Sequence, residues 1–359
     1  MSDRSTRLVQ ALSDGGEGVE LMLVTSLVNV RYLTGFTGSN GAALVGPERR
    51  LFLTDFRYDE QSAAEVDPSF ERRIVSTSII EELGPLLPDG ELRLGFEDHD
   101  LTVHQHATLR ERLAGTIELV AAGTPVEALR AVKDEEEIAR IRAACELADA
   151  ALREILAQGI VGRTEAEVAL ALEDAMRRRG ASAPSFESIV AAGPHGALPH
   201  ATPRDVTIDP GQLVVIDWGA VLDGYCSDCT RTVASGEVGE DARIAYDLVL
   251  DAQLAGLEQM RPGVGGRDAD GAARALIDAA GHSEHFGHGL GHGVGLEVHE
   301  KPSLSKRSED VLEAGNVVSC EPGVYLPGEL GVRIEDLCVV TATGREVLTH
   351  VPKELLVVD

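Results

Sequence analysis

Five side chains in the C-terminal part of this 359-residue chain could hold metal: Asp217, Asp228, His292, Glu321 and Glu335. They stand in the segments IDWGA, CSDCTRT, GHGLGHGVGLEVHE, CEPGVY and GVRIED. Four carboxylates and one imidazole make a hard, oxygen-rich donor set, suited to two divalent ions that share bridging carboxylates. Paired ions of this kind generate hydroxide from water at neutral pH and polarise a carbonyl oxygen. The donor set therefore points to a two-metal hydrolase.

Spacing supports that reading. Asp223-Gly224 is a strong two-residue hairpin signal. With those residues at the tip, 222 pairs with 225 and 219 with 228. Directly opposite residues share a face, as do residues two apart on one strand. Asp217 and Asp228 are then diagonal neighbours, about 7–8 Å apart at Cα, close enough to serve ions roughly 3.5–4 Å apart. Two buried carboxylates this close would repel without cations. The alternative, a pair of exposed strand acids, fits poorly with the apolar LVVIDW run around Asp217.

The segment GHGLGHGVG, Gly287 to Gly295, holds too many glycines for a helix. As an extended strand it turns His288, Leu290 and His292 to one side. Glycine also lets backbone approach a ligand closely. His299 follows in LEVHE. Glu321 ends an apolar run before Pro322-Gly323, and Arg333 and Glu335 alternate with apolar residues, which puts both on one side of a strand. An arginine two residues from a ligating carboxylate is placed to support it. Cys226 and Cys229 form a CxxC around Asp228. With no second pair and a strand context, they read as small packing residues whose thiols face opposite ways. Arg177-Arg178-Arg179 reads as a solvated helix end.

The elements that must position these groups are legible. LMLVTS, GAALVG and RLFLT are strand-like, and Asp55 to Val66 and Leu101 to Leu113 have helical spacing, so the N-terminal third reads as α/β. A turn at Gly123-Thr124-Pro125 suggests a boundary, giving domains 1–124 and 125–359. Lys133 to Gln158 is a long helix stopped by Gly159. Thr164-Glu-Ala-Glu167 is a capping box for a second helix ending at Gly180. Further helices are expected over Asp241–Met260 and Asp268–Ala280. QLVVIDWG, YCSDCTRTV, NVVSCE and VRIEDLCVV read as strands, with every candidate acid on one of them. The C-terminal part is therefore α+β, with helices packed on an antiparallel sheet.

Composition narrows the partners. A net charge of −28 argues against nucleic acid and against anionic membrane surfaces. MSDRSTRLVQAL has no apolar signal region, and the longest apolar run, Val19 to Val30, contains Glu20 and Asn29 and is too short to span a membrane. Five cysteines without a signal fit reduced thiols and a cytoplasmic location.

Taken together, the five ligand segments in order, NVRYLTGFTGSNGAALV and LFLTDFRYDEQ near the N-terminus, and LRAVKDEEEIARIRAA resemble the pita-bread metallopeptidases. That family includes Xaa-Pro dipeptidases (prolidases), Xaa-Pro aminopeptidases and methionine aminopeptidases. The resemblance covers essentially the whole chain and implies a creatinase-like N-terminal domain before a pita-bread catalytic domain. It implies Asp217 on one metal, His292 on the other, Asp228 and Glu335 bridging, and Glu321 as ligand and general base. It places His200, in LPHATP, on the substrate amide. His299 would stabilise the tetrahedral intermediate or shuttle a proton, His288 would line the proline pocket, and Arg333 would support the metal cluster. Mn²⁺ is the implied activator, with Co²⁺ or Zn²⁺ as alternatives, and a homodimer acting on small proline-containing peptides is the implied assembly. Specificity for proline comes from the resemblance alone. Where some prolidases carry an arginine after HExP, this chain has Ser303, so strict dipeptide preference is not implied.

Two other readings share the fold: a metal-free creatinase-like amidinohydrolase and a non-catalytic binding module. Both typically lose the ligand carboxylates, and all five ligands stand here.

Overall fold

The structure, a computed structural model, describes residues 4–16, 18–113 and 115–359. The chain divides into two compact units, Met1–Arg130 and Ala131–Asp359.

The first unit is built on one six-stranded sheet of order β4-β3-β2-β1-β5-β6. Its strands are β1 (Leu21–Val24), β2 (Ala42–Gly46), β3 (Arg49–Asp55), β4 (Glu71–Val75), β5 (Leu92–Phe96) and β6 (Ile117–Ala121). Helix α1 (Arg4–Asp14) precedes β1, and α2 (Leu27–Thr34), α3 (Asp59–Glu65), α4 (Ile79–Glu82) and α5 (Val103–Arg112) lie between strands. Every residue of β1 and β2 is buried, which explains the unbroken apolar runs LMLV and AALV. Leu23, Leu44, Leu53 and Leu94 pack with Leu83 and Leu109 in its core.

A short helix, α6 (Pro125–Ala131), carries the chain into the second unit. There α7 (Glu135–Gln158) and α8 (Glu165–Arg178) each open on a capping box, Asp134/Glu137 and Thr164/Glu167. Gly159 ends α7 at φ 82°, a conformation glycine adopts without penalty. Their apolar stripes, including Ala148, Leu152, Val168 and Leu172, bury Val190, Val214, Ile216 and Val233. Those residues belong to a four-stranded sheet of β8 (Ile189–Ala192), β9 (Leu213–Trp218), β12 (Cys229–Ser235) and β20 (Val357–Val358). The fully buried Trp218 satisfies its indole N–H on the Ala148 carbonyl at 2.9 Å.

A second layer repeats the plan. Helices α9 (Glu240–Gln259) and α10 (Gly266–Ala279) cover a five-stranded sheet of order β14-β13-β15-β18-β19. Its strands are β13 (Gly291–Gly293), β14 (Glu300–Leu304), β15 (Val317–Cys320), β18 (Asp336–Thr341) and β19 (Gly344–Val347). Two small sheets complete the unit: β7 (Ala183–Pro184) with β10 (Ala220–Leu222) and β11 (Tyr225–Cys226), and β16 (Gly323–Leu326) with β17 (Leu330–Arg333). Pairing in these sheets is antiparallel except for β12 with β20. The α+β architecture expected for this part, helices on antiparallel sheets, is therefore what forms.

Four expectations need correction. YCSDCTRTV is not one strand: it breaks at Ser227-Asp228, where β11 leaves one sheet and β12 joins another. At the break the Ser227 hydroxyl accepts from the Ala220 N–H, so a side chain takes over a ladder position. VRIEDLCVV likewise breaks at Ile334-Glu335, between β17 and β18. Only Asp217 and His292 among the five candidate ligands lie inside a strand; Asp228 and Glu335 occupy the breaks and Glu321 directly follows β15. Finally, residues 288–290 are not extended: Leu290 enters the hydrophobic core, while His288 and His292 line a pocket.

Candidate active site

Asp223 (φ 49°) and Gly224 (φ 84°) form the hairpin tip with both residues left-handed, as a two-residue turn of the twisting type requires. Leu222 pairs with Tyr225, and Asp217 with Thr230. Asp228, two residues from Thr230, is thereby the diagonal neighbour of Asp217. Oxygen atoms of Asp217, Asp228 and Glu335 all lie within 4.8 Å of one another. The His292 Nε2 adds a fourth direction, 3.2 Å from Glu321 Oε1 and 3.7 Å from Asp228 Oδ2. All five candidate ligands, with His200, His288, His299 and Arg333, line one cavity of about 490 Å³ in the second unit.

Strand breaks aim the acids. At Glu335 the main chain leaves its ladder, yet its groups are paired: its N–H donates to Thr230 O at 3.1 Å, and its carbonyl accepts from Arg231 Nη1 and from Cys229 Sγ. Arg231 is itself buried and bound to Asp336 Oδ1 at 2.8 Å. The Glu335 side chain accepts from Thr230 Oγ1 at 2.8 Å. Cys226 and Cys229 are buried in different apolar clusters, in line with their thiols facing opposite ways.

The electrostatics of the pocket call for cations. Burial, and then the charge of neighbouring carboxylates, pushes Asp228 and Glu335 far above the usual carboxylate range. Burial raises Asp217 as well, against the pull of Arg333. Burial also pushes Glu321 upward, but the hydrogen bond and charge of His292 outweigh it and hold Glu321 at about 2. Asp217 Oδ1 and Glu335 Oε1 are buried without a hydrogen-bond partner. Orphaned buried carboxylate oxygens are costly and invite a cation. Among the described residues, Arg333 is the only arginine or lysine lining the cavity, and it is already committed to Asp217 Oδ2 at 2.7 Å. The residues present therefore fit divalent metal.

Hydrogen bonds fix the histidines. His292 Nδ1 lies 3.1 Å from Gly293 O. A carbonyl only accepts, so Nδ1 carries a proton and Nε2 is left facing the acids; without metal Nε2 donates to Glu321, and with metal bound its lone pair would serve as the ligand. His288 Nδ1 donates to Gly289 O at 2.8 Å, and its Nε2 lies 2.9 Å from the Tyr325 hydroxyl. Arg333 Nη1 donates to the same hydroxyl at 2.9 Å. The hydroxyl hydrogen is thus left for His288 Nε2, and a neutral His288 has both nitrogens occupied. Burial holds His288 below its ordinary pKa, in accord with that state. The His299 ring packs 4.2 Å from the His292 ring, centroid to centroid, and burial followed by the His292 charge lowers its pKa. His200 and His299 are both exposed at the cavity wall.

Tyr325 was not singled out from the sequence, although it sits in the CEPGVY segment. A lone tyrosine in a strand gives no sign that its hydroxyl is buried. Thr230, which bridges Arg333 Nε at 3.0 Å and Glu335, was missed for the same reason. Arg333 further donates to Pro199 O at 3.1 Å, beside His200. A second trio, Glu97, His99 and Glu127, clusters in the first unit. Glu97 there accepts from the N–H groups of Thr25 and Ser26 and from Asn29 Nδ2 at 2.6–2.8 Å, which makes it a fastening for the start of α2.

Four acids that cannot all stay ionised together without cations make this the pocket of a divalent-metal enzyme. The chain belongs to metallopeptidase family M24, which matches residues 139–342, and residues 4–132 match the Creatinase/Prolidase N-terminal domain. It is 35% identical over 358 residues to an Xaa-Pro dipeptidase of Pyrococcus furiosus, covering 99% of this chain and 100% of that one. The solved Xaa-Pro dipeptidase of Bacillus anthracis superposes with a TM-score of 0.93 at 40% identity, with 99% of each chain covered. An X-Pro aminopeptidase of Thermotoga maritima superposes with a TM-score of 0.90 at 36% identity, over 99% of this chain and 100% of that one. The pita-bread fold and the creatinase-like N-terminal domain are those of this family. Among the described residues no helix is long and apolar enough to cross a membrane.

Proposed function

We propose that this hydrolase is a cytoplasmic, homodimeric peptidase that cleaves the Xaa-Pro bond of dipeptides or short peptides. The observation that carries the reading is the convergence of Asp217, Asp228, His292, Glu321 and Glu335 on one cavity that also holds His200, His288 and His299. The five ligands would hold two divalent cations, Mn²⁺ first and Co²⁺ or Zn²⁺ as alternatives, because oxygen-rich sites separate these ions poorly. Bound there, the ions supply polarisation of the carbonyl before proline and a lowered pKa for the attacking water.

The remaining work falls to side chains. Glu321, deprotonated as a metal ligand must be, would be the base that takes the proton of water. His288 has no free nitrogen, so it offers the proline ring an apolar wall rather than a hydrogen bond. His200 contacts the substrate amide. His299 would steady charge on the carbonyl oxygen or relay the proton taken by Glu321 to the leaving nitrogen, which in an Xaa-Pro bond carries none of its own. Arg333 keeps Asp217 ionised and oriented.

The test compares release of proline from an Xaa-Pro dipeptide with release of the first residue from an Xaa-Pro-Yaa tripeptide, with Mn²⁺ and with chelator. Metal-dependent cleavage of the dipeptide alone makes the chain a prolidase, and preference for the tripeptide makes it an aminopeptidase. No cleavage of either with metal bound would reject the proposal.

A further inference from the structure

Glu165 is the first residue of α8, and its side chain is 1% exposed. Its carboxylate accepts from the Ala192 N–H at 2.9 Å, from His195 Nδ1 at 2.9 Å, and from the N–H, Nε and Nη2 of Arg204, each at 3.0 Å. Five donors saturate the lone pairs that two oxygens offer. The capping of α8 does not require this acid, because Thr164 and Glu167 already form the box. Stability alone is a weak reason to bury it, since replacing buried ion pairs by apolar groups is often neutral or favourable.

What the carboxylate grips is the segment that carries His200. After β8 the chain makes a short 3₁₀ turn, Gly193–Ala197, and then runs without regular structure past Arg204. Few ladder bonds hold that stretch. Glu165 fastens it before His200, at Ala192 and His195, and again after it, at Arg204. Between the two, Arg333 fastens Pro199 O at 3.1 Å while its other arm holds Asp217. The turn also lies against β17 where Gly196 meets Gly331, with no room for a Cβ on the latter.

We infer that Glu165, with His195 and Arg204, positions His200 against the metal pocket, so that Glu165 and Arg204 are positioning residues of the peptidase reaction. The inference rests on the Xaa-Pro reading and on His200 as a substrate contact. Against the upward push of burial, Arg204 leads the groups that hold Glu165 below its ordinary pKa, so the grip persists across neutral pH.

Arg204 is the gentler place to test this, because its side chain is 46% exposed and removing it opens no deep cavity. On the Mn²⁺-loaded enzyme, Arg204→Ala is expected to lower kcat/KM for an Xaa-Pro substrate by about 10–100-fold, the scale of a displacement near 1 Å. Metal content should stay unchanged, and Arg204→Lys should recover part of the loss. Glu165→Gln should move activity in the same direction. In a His200→Ala background the Arg204→Ala step should cost less than about 3-fold, because the two changes act through one contact. Equal cost in both backgrounds, or no cost at all, would overturn the clamp while leaving the peptidase reading intact. A His200→Ala enzyme of full activity would overturn the clamp through its premise, and a wild-type enzyme without Xaa-Pro cleavage would overturn both readings together.

Discussion

Single residues in this pocket are held in states that favour function over the stability of the metal-free chain. Asp228 is 5% exposed and faces Glu335 and Asp217 as well as His292. An amide at this position would keep the shape and remove the repulsion. Asp228→Asn is therefore expected to abolish metal-dependent turnover, by more than roughly 100-fold, while leaving the fold intact. Without metal the variant should melt no lower than wild type, and higher by about 2–4 °C for each kcal/mol of repulsion relieved. Thermal melts with and without Mn²⁺, alongside activity, check this. A variant that keeps most of its turnover would sink the bridging assignment. Tyr325 gives a second case. Tyr325→Phe leaves His288 Nε2 without its donor, and an outer partner of this kind typically matters about 10–100-fold in metal affinity or activity. Unchanged metal binding and kcat/KM would show that the hydroxyl does nothing beyond packing.

At the scale of elements, close approach matters as much as hydrogen bonding. A Cβ at Gly331 would fall on the Gly196 carbonyl, so β17 and the turn before His200 can touch only through glycine. Gly331→Ala should push the turn away at a cost of about 1–3 kcal/mol, a loss of several degrees in Tm, and should lower kcat/KM more than it lowers stability. A variant with wild-type activity and Tm would show that the contact is slack. The same elements explain what sequence could reveal. The Asp223-Gly224 signal is local, and it set the register that makes Asp217 and Asp228 neighbours. The Thr164/Glu167 capping box, the apolar stripes and Gly159 are local too, and α7 and α8 followed from them. The breaks at Ser227-Asp228 and Ile334-Glu335 were not legible, because two adjacent polar residues in a strand-like run do not by themselves say that the chain changes sheet. Only the change of partner strand, a long-range fact, marks where one sheet ends. Glu165 stayed hidden for a related reason. Its sequence context is a helix start, where acids are common, and its partners lie 27 to 39 residues away.

At the scale of the whole molecule, the acids of the pocket should give the metal-free and metal-loaded protein different responses to pH. Asp217, Asp228 and Glu335 are raised by burial, and all three also by neighbouring carboxylates. A carboxyl raised in the folded state still binds a proton that the unfolded chain has released. The stability it removes at neutral pH therefore returns as pH falls toward the unfolded value. His292 acts with the same sign: against burial, Glu321 raises it, and its contribution is lost as pH rises through the folded value. His288 and His299 are lowered, mainly by burial, and oppose it in part. On the acid side, Glu165 and Asp336 are lowered by their cationic partners against burial. Their stabilisation is present above the unfolded carboxylate value and is lost as pH falls through the folded one. The metal-free protein is thus expected to be most stable at mildly acidic pH, about 5–6, between these opposing groups. Metal reverses the slope above that point, because it binds only deprotonated ligands and so stabilises more as pH rises. At a free Mn²⁺ concentration of 100 times Kd the added stability is about 2.7 kcal/mol. Melting curves between pH 4 and 9, in chelator and in Mn²⁺, measure both limbs. The gap between the two curves should widen steadily from pH 5 to pH 8, and Asp228→Asn should flatten the metal-free limb. A gap that stays constant with pH would mean that the acids of this pocket are not the groups that bind the metal.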